Sequence, residues 1–268
     1  MRIETRIALV RPVPASYLSC LRANPAPIDL ARAVEQHEAY VRALEQSGIR
    51  VVRLPALDSL ADSVFLEDTA VALGSGHVLL TRPGAASRVA EVACLAADLE
   101  GLGLGLEVRA GETRDADWTL DGGDVLRAGD DLFYVGVSAR TNEAGVRRLE
   151  VACWPARVIR VPVGANLHLK SSVTLVSEGV VVAAPSLADD EPFVAEGLEV
   201  LRTPEVHGGN VSSLGTTVLV SSAAPRTAEM LAARGLEVIT LELSEIHKGE
   251  GALTCLSLRL PGESGFST

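Results

Sequence analysis

Lysine is nearly missing from this sequence. Of 24 basic residues only Lys170 and Lys248 are lysines, against 35 acids, and the net charge is −11 with a pI near 5.0. So acidic a chain argues against nucleic acid or an anionic membrane as a partner. Long hydrophobic runs are missing too. No stretch approaches the roughly 20 apolar residues that span a bilayer. Met1-Arg2-Ile3-Glu4-Thr5-Arg6 alternates charge where a signal peptide would carry its apolar core. Cysteine is sparse, and Cys20, Cys94, Cys153 and Cys255 show no CxxC or other metal spacing. Free thiols in a reducing cytoplasm are the simplest expectation. What is present is a hydrophobic content of 47% over 268 residues, enough for a globular core.

Taken in order, residues 6–10 read as a short strand stopped by Pro12 and Pro14. Residues 15–28, with Asn24-Pro25-Ala26-Pro27, read as a loop long enough to be a lid. Asp29 is placed to cap a helix over 30–46 that Gly48 ends, and a strand follows over 49–54. A pattern then repeats: a short polar motif opening a strand, a turn, a second strand, a helix, and a third strand ending in Leu-Glu-Val or a relative. Units begin at Phe65, Leu120, Leu167 and Gly208, with a fifth at Gly251 cut short. The N-terminal strand, helix and strand can complete it. Recurrence at roughly 40–55 residues is the mark of a closed array. The predicted fold is therefore an α/β five-bladed propeller, a single domain over residues 1–268.

In such a ring the opening motifs face the axis. They are Glu67-Asp68, Asp121-Gly122-Gly123-Asp124, His168-Leu169-Lys170, Gly208-Gly209-Asn210 and Thr254-Cys255. Taken singly, each has a plain explanation. A lone cysteine in apolar sequence, here where a loop enters a strand, is more often a small core residue; His168 is a structural hydrogen bonder and Asp121 a turn residue. Together, Cys255, His168 and Asp121 are the parts of an activated thiol: a nucleophile, an acid/base, and a carboxylate that orients the imidazole. Glu67 and Asp68 sit in what reads as an apolar strand, so one of them points inward and needs a cation. A guanidinium answers that need in fork geometry. Asp62 adds an acid at the rim. Arg88 and Arg140 lie at loop-to-helix junctions where a pocket mouth is expected, suited either to a carboxylate or to plain solvation.

With these residues in view, the sequence resembles the dimethylarginine dimethylaminohydrolases (dimethylargininases), a family of the guanidine-modifying superfamily with the five-bladed α/β-propeller, or pentein, fold. The matching stretches are Ala31-Arg32-Ala33 with Gln36-His37, residues 65–71, 81–85 with Ser87-Arg88, 120–126, 135–142, 168–171 and Leu253-Thr254-Cys255. They span almost the whole chain in family order. The resemblance implies that Cys255 is the nucleophile, His168 the acid/base and Asp121 its orienting partner. It implies that Asp68 with Glu67 holds the guanidinium, that Arg88 and Arg140 bind the α-carboxylate, that Asp62 helps bind the α-amino group, and that the loop near residues 17–24 is a lid.

The implied reaction converts an Nω-methylated arginine, asymmetric dimethylarginine or monomethylarginine, to citrulline and an amine through a covalent S-alkylthiouronium. It needs no cofactor or metal. A zinc on Cys255 and His168 would be inhibitory, since catalytic zinc usually takes three protein ligands and no motif supplies them. The implied partner is a small-molecule substrate, for a monomer or homodimer in the cytoplasm, in nitric-oxide regulation or nitrogen scavenging. The alternatives are another guanidine- or ureido-modifying enzyme on this fold, such as an arginine deiminase, and a non-catalytic binding protein.

Overall fold

The computed structural model describes residues 5–74, 76–109 and 117–261. Their strands form five three-stranded sheets. The first to be met is completed by the last strand of the chain: β1 (Thr5–Val10), α1 (Leu30–Gln46) and β2 (Arg50–Arg53) join β15 (Leu258–Pro261) in the order β15-β1-β2. The second holds β3 (Ala70–Gly74), β4 (His77–Leu80), α2 (Val89–Gly101) and β5 (Glu107–Arg109). The third holds β6 (Val125–Arg127), β7 (Leu132–Val137), α3 (Glu143–Cys153) and β8 (Arg157–Pro162). The fourth holds β9 (Val173–Ser177), β10 (Val180–Ala183), α4 (Glu191–Val194) and β11 (Glu199–Arg202). The fifth holds β12 (Ser212–Leu214), β13 (Thr217–Ser221), α5 (Pro225–Ala233) and β14 (Glu237–Leu241), after which α6 (Ser244–Lys248) leads back toward β15. In every sheet the middle strand pairs antiparallel with one neighbour and parallel with the other. The antiparallel partner comes from a hairpin, or in the first sheet from the far end of the chain. The parallel partner comes back through a helix, as a parallel crossover requires.

The local chemistry of this repeat is plain at its ends. Asp29 caps α1, its carboxylate accepting from the Arg32 N–H at 3.1 Å, and Asn142 caps α3 through Gly145. Four of the five outer strands begin after Gly48, Gly105, Gly197 and Gly235, at φ +78°, +63°, +81° and +84°. Only glycine adopts that conformation without strain, so the repeated Gly-Leu-Glu-Val is a reversal of direction written in sequence. α1 buries Ala33, Gln36, His37, Tyr40, Val41 and Leu44, one stripe at helical spacing. Apolar clusters lie between sheet and helix and between neighbouring sheets; one joins Val71 and Leu79 of the second sheet to Phe133, Val135, Val146 and Leu149 of the third.

One expectation is corrected. The opening motifs are not strands. Leu66–Thr69, Gly122–Asp124, Leu169–Ser171, Val206–Gly209 and Thr254–Leu256 are short 3-10 turns, each placed just before its strand. Cys255 accordingly lies within a turn just ahead of β15, at the junction where the loop becomes a strand. The physical reason is close approach. A Cβ on Gly122 would stand 2.0 Å from the Glu67 carbonyl oxygen, and one on Gly209 would stand 2.5 Å from that of Ser172. Neighbouring turns therefore meet backbone to backbone, and polar side chains link them in a closed circuit. Gly123 N–H donates to Asp68, Leu169 N–H to Asp124, the Asn210 amide to the Lys170 carbonyl, Thr254 N–H to Asn210, and the Thr254 hydroxyl to Glu67, at 2.7–3.1 Å.

The cluster between the second and third sheets makes a testable statement. Leu149→Ala is expected to lower unfolding free energy by about 2–5 kcal/mol, while Val151→Ala, two residues on at a site 78% exposed, changes it by less than about 0.5 kcal/mol. Urea denaturation of the two variants measures both.

Candidate active site

Two of these turns bring Cys255 and His168 to one cavity, and a third sets Asp121 behind His168. The cavity is lined by Asp62, Phe65, Asp68, Arg88, Arg140, His168 and Cys255, with Leu21, Leu167 and the loop Gly249–Gly251. His168 is 6% exposed and precedes the turn Leu169–Ser171. Its Nε2 meets Asp121 Oδ2 at 2.9 Å, and its Nδ1 faces Asp68 Oδ1 at 3.8 Å. Asp121 is fixed in turn, its Oδ1 accepting from Gly84 N–H at 2.8 Å. One imidazole nitrogen is therefore committed to a carboxylate and the other turns toward the cavity. Gly123 makes room for this: a Cβ there would stand 2.6 Å from Asp68 Oδ1 and 2.7 Å from His168 Nδ1.

The electrostatics follow from the crowd of acids. Burial works against a charged His168, but Asp68, the Asp121 hydrogen bond and Asp124 outweigh it and push the imidazole up to about 9. His168 is thus an imidazolium at neutral pH. Burial also opposes charge on Asp68, yet His168 and Arg88 hold that carboxyl below its ordinary range. The Cys255 thiol is driven the other way. Burial, then Glu67 and Asp68, raise it well above an ordinary thiol. The free site holds a protonated thiol beside a protonated histidine.

Several expected residues stand elsewhere than the sequence suggested. Glu67 and Asp68 do face opposite ways, but from a 3-10 turn and on two sides of a floor. Asp68 faces the Cys255 cavity. Glu67 accepts from Lys170 Nζ at 2.6 Å and from Thr254 Oγ1 at 2.7 Å, and it lines a second, larger cavity of about 440 Å³ together with Lys170, Arg127 and Arg259. Arg88 was expected at the mouth and is buried at 4% exposure. It donates to Asp68 Oδ2 at 2.5 Å, to Glu91, and to the carbonyls of Asp62 and Phe65. Arg140 keeps its expected place. Its side chain, half-buried at the cavity, makes no hydrogen bond or ion pair among the described residues. Asp62 accepts from Leu21 N–H at 3.0 Å, and Glu250 accepts from Ala23 N–H at 2.6 Å, so the 15–28 loop is tied down over the cavity. That loop is also less irregular than expected, since residues Ala15–Ser19 form a 3-10 turn. His207 sits in the turn Val206–Gly209, its ring stacked on His247 at 4.0 Å.

Sequence reasoning gave no role to Lys170, Thr254, Asn210, Glu91 or Asp124, although all but Glu91 stand in the motifs it singled out. Glu91 pairs locally with Arg88, but Lys170, Thr254, Asn210 and Asp124 meet partners from other sheets, which no local pattern records. The same holds for the nearest thing to a metal cluster among the described residues. Ligand atoms of Asp68, Asp121 and His168 lie within 4.8 Å of one another. A metal there would need neutral His168, whereas Asp68, Asp121 and Asp124 favour its proton, and Arg88 already answers the charge of Asp68.

Comparison with known proteins gives this geometry a place. The fold is shared beyond close relatives: an N-terminal domain of ArgZ, an arginine dihydrolase, superposes with a TM-score of 0.82 at 19% identity, covering 94% of this chain and 97% of that one, a likeness of fold alone. The family model for eukaryotic N,N dimethylarginine dimethylhydrolase matches residues 23–260. The dimethylarginine dimethylaminohydrolase of Streptomyces coelicolor is 42% identical over 87% of this chain and 88% of its own. That of Pseudomonas aeruginosa is 33% identical over 86% and 89%. A structure of the Pseudomonas aeruginosa protein, as a Cys-to-Ser mutant complexed with citrulline, superposes with a TM-score of 0.84 at 30% identity, covering 96% of this chain and 99% of that one. The chain belongs to the dimethylarginine dimethylaminohydrolase family.

The raised thiol is directly measurable. Thiolate absorbance near 240 nm, taken as the difference between the parent and Cys255→Ser, is expected to stay flat through pH 8.5 in the free protein and to rise only above it. A Cys255 titration at the ordinary thiol value of about 8.5 would contradict the electrostatics described here.

Proposed function

We propose that this protein hydrolyses Nω-methylated arginines, asymmetric dimethylarginine and monomethylarginine, to citrulline and dimethylamine or methylamine. The observation that carries this reading is the shared cavity. A thiol, an acid-backed imidazolium and a buried carboxylate line one cavity, and Arg140 stands beside them with no hydrogen bond or ion pair from its side chain among the described residues. We read the fold as a single-domain five-bladed α/β-propeller, supported by the five sheets and the closed circuit of turns. A cytoplasmic setting agrees with the free thiols; among the described residues no helix is long and apolar enough to cross a membrane.

The chemistry uses the parts as they stand. The free cavity is small, about 20 Å³, room for little more than a water molecule. Admitting an amino acid therefore requires the 15–28 loop to release Asp62 and Glu250. Asp62 then meets the α-amino group and Arg140 the α-carboxylate, while Arg88 holds Asp68 in place. Asp68 aligns the guanidinium, and Glu67 adds negative charge beneath the floor. The incoming cation offsets the acids that hold Cys255 protonated, so the thiol releases its proton to solvent as the substrate binds. The thiolate attacks the guanidinium carbon. His168 gives its Nδ1 proton to the departing amine nitrogen as the C–N bond breaks, leaving the S-alkylthiouronium. Neutral His168 next takes a proton from water, the hydroxide attacks the same carbon, and the C–S bond breaks to give citrulline. Asp121 keeps Nδ1 turned to the substrate throughout.

The first experiment is citrulline formation from asymmetric dimethylarginine, with arginine and agmatine in parallel. Turnover of the methylated substrate is expected, and Cys255→Ser is expected to abolish it with the fold retained. Citrulline from arginine alone would move the protein to the deiminases, and no product from any substrate would remove the reading. Arg140→Ala is expected to raise KM for the amino acid roughly 10- to 100-fold with less change in kcat. An equal effect on an analogue without the α-carboxylate would take that role from Arg140.

A further inference from the structure

Asp124 is fully buried, and its two carboxylate oxygens hold two different parts of the site. Oδ1 accepts from Leu169 N–H at 2.9 Å, the peptide that directly follows His168. Oδ2 accepts from the Ser138 hydroxyl at 2.7 Å. Ser138 Oγ in turn accepts from Arg140 N–H at 2.9 Å and Thr141 N–H at 3.1 Å, and so fixes the turn that carries Arg140. The Thr141 hydroxyl closes the loop by accepting from Asp121 N–H at 3.1 Å. Space confirms how tightly this hub is built. A Cβ on Gly136 of β7 would come within 2.7 Å of Asp124 Oδ1 and 2.4 Å of Val163 Cγ2.

Resting on the reaction proposed above, we infer that Asp124 is a positioning residue that couples carboxylate recognition at Arg140 to the acid/base geometry of His168. It touches neither substrate nor reacting atoms. It needs two acceptors at fixed places, which a carboxylate supplies and an amide does not. In Asp124→Asn the amide nitrogen must face either the Leu169 N–H or Ser138 Oγ. The first is a donor, and the second already accepts twice. One arm of the hub is lost whichever way the amide turns. Asp124 also adds negative charge near His168, whose other charged neighbours are Asp68 from the turn Leu66–Thr69, Asp121 from its own turn, and Arg88 and Arg140 along the cavity, with the Cys255 thiol opposite.

The test combines kinetics with a readout that needs no substrate. Parent, Asp124→Asn and Ser138→Ala are compared in turnover of asymmetric dimethylarginine and of its decarboxylated analogue, and His168 is titrated by NMR of the ring in the free protein. Ser138→Ala cuts only the Arg140 arm, so KM for the amino acid is expected to rise roughly 10-fold, with kcat and the analogue nearly unmoved. Asp124→Asn is expected to lose roughly 10- to 100-fold in kcat on both substrates and to move the His168 titration down by roughly half to one pH unit. Should Asp124→Asn fail to fold, Ser138→Ala combined with Thr141→Val strips the carboxylate of its hydroxyl neighbours while leaving it in place. That pair is expected to raise KM and shift the His168 titration together. A His168 titration unmoved in every folded variant, or a Ser138→Ala effect equal on both substrates, would overturn the coupling. If the parent turns over no methylarginine, the reaction fails, and the NMR titration still decides whether Asp124 governs His168.

Discussion

Charge that is buried must be answered by charge, and the axis of this molecule is arranged around that demand. Asp68 lies between Arg88 and His168 on one side of the floor, and Glu67 is held by Lys170 on the other. Any of these groups left alone in the interior would be strongly destabilising. None comes with its partner in sequence: Asp68 and His168, or Glu67 and Lys170, are about a hundred residues apart. Pairing them requires turns from different sheets to meet, and the sheets with their helices serve chiefly to hold those turns. The glycines of the turns complete the arrangement by allowing backbones to touch where side chains would keep them apart.

The same pairing sets the reactivity. An acid-rich site protonates its histidine and suppresses its thiolate, so the resting protein carries a proton donor and a latent nucleophile together. In the proposed reaction such a site is inert until a cation enters, because only positive charge near the acids makes the thiolate tolerable. Selectivity for a guanidinium and activation by it are then one electrostatic effect. The floor between the two cavities confines that effect to the side where Cys255, Asp68 and His168 lie.

Much of the fold was readable from local signals. The Asp29 cap, the helix over 30–46 and the strands at 132–137 and 180–183 all stand where composition and spacing put them, because each is decided by its own residues. The opening motifs were placed correctly and given the wrong conformation. Apolar neighbours around Glu67-Asp68 imitate a strand, and what overrides that pattern is contact with Gly122 from another sheet. The site divides along the same line. Residue types in repeated motifs pointed to Cys255, His168 and Asp121; the structure brings the first two to a common cavity and sets Asp121 behind His168. The burial of Arg88 against Asp68, the turning of Glu67 to Lys170, and the reach of Asp124 to Leu169 depend on partners that no local stretch of sequence contains.

The pairing of β1 with β15 reaches beyond geometry. The strand that follows Cys255 finds its partner some 250 residues earlier, with Leu9 opposite Leu258. Closing a loop of that length is an entropic cost borne before the contact repays it. The seat of Cys255 therefore depends on the slowest kind of contact a chain can make. During synthesis the first strand must wait, edge exposed, until nearly everything else has left the ribosome. Chemical competence in this architecture arrives late, with the joining of its ends.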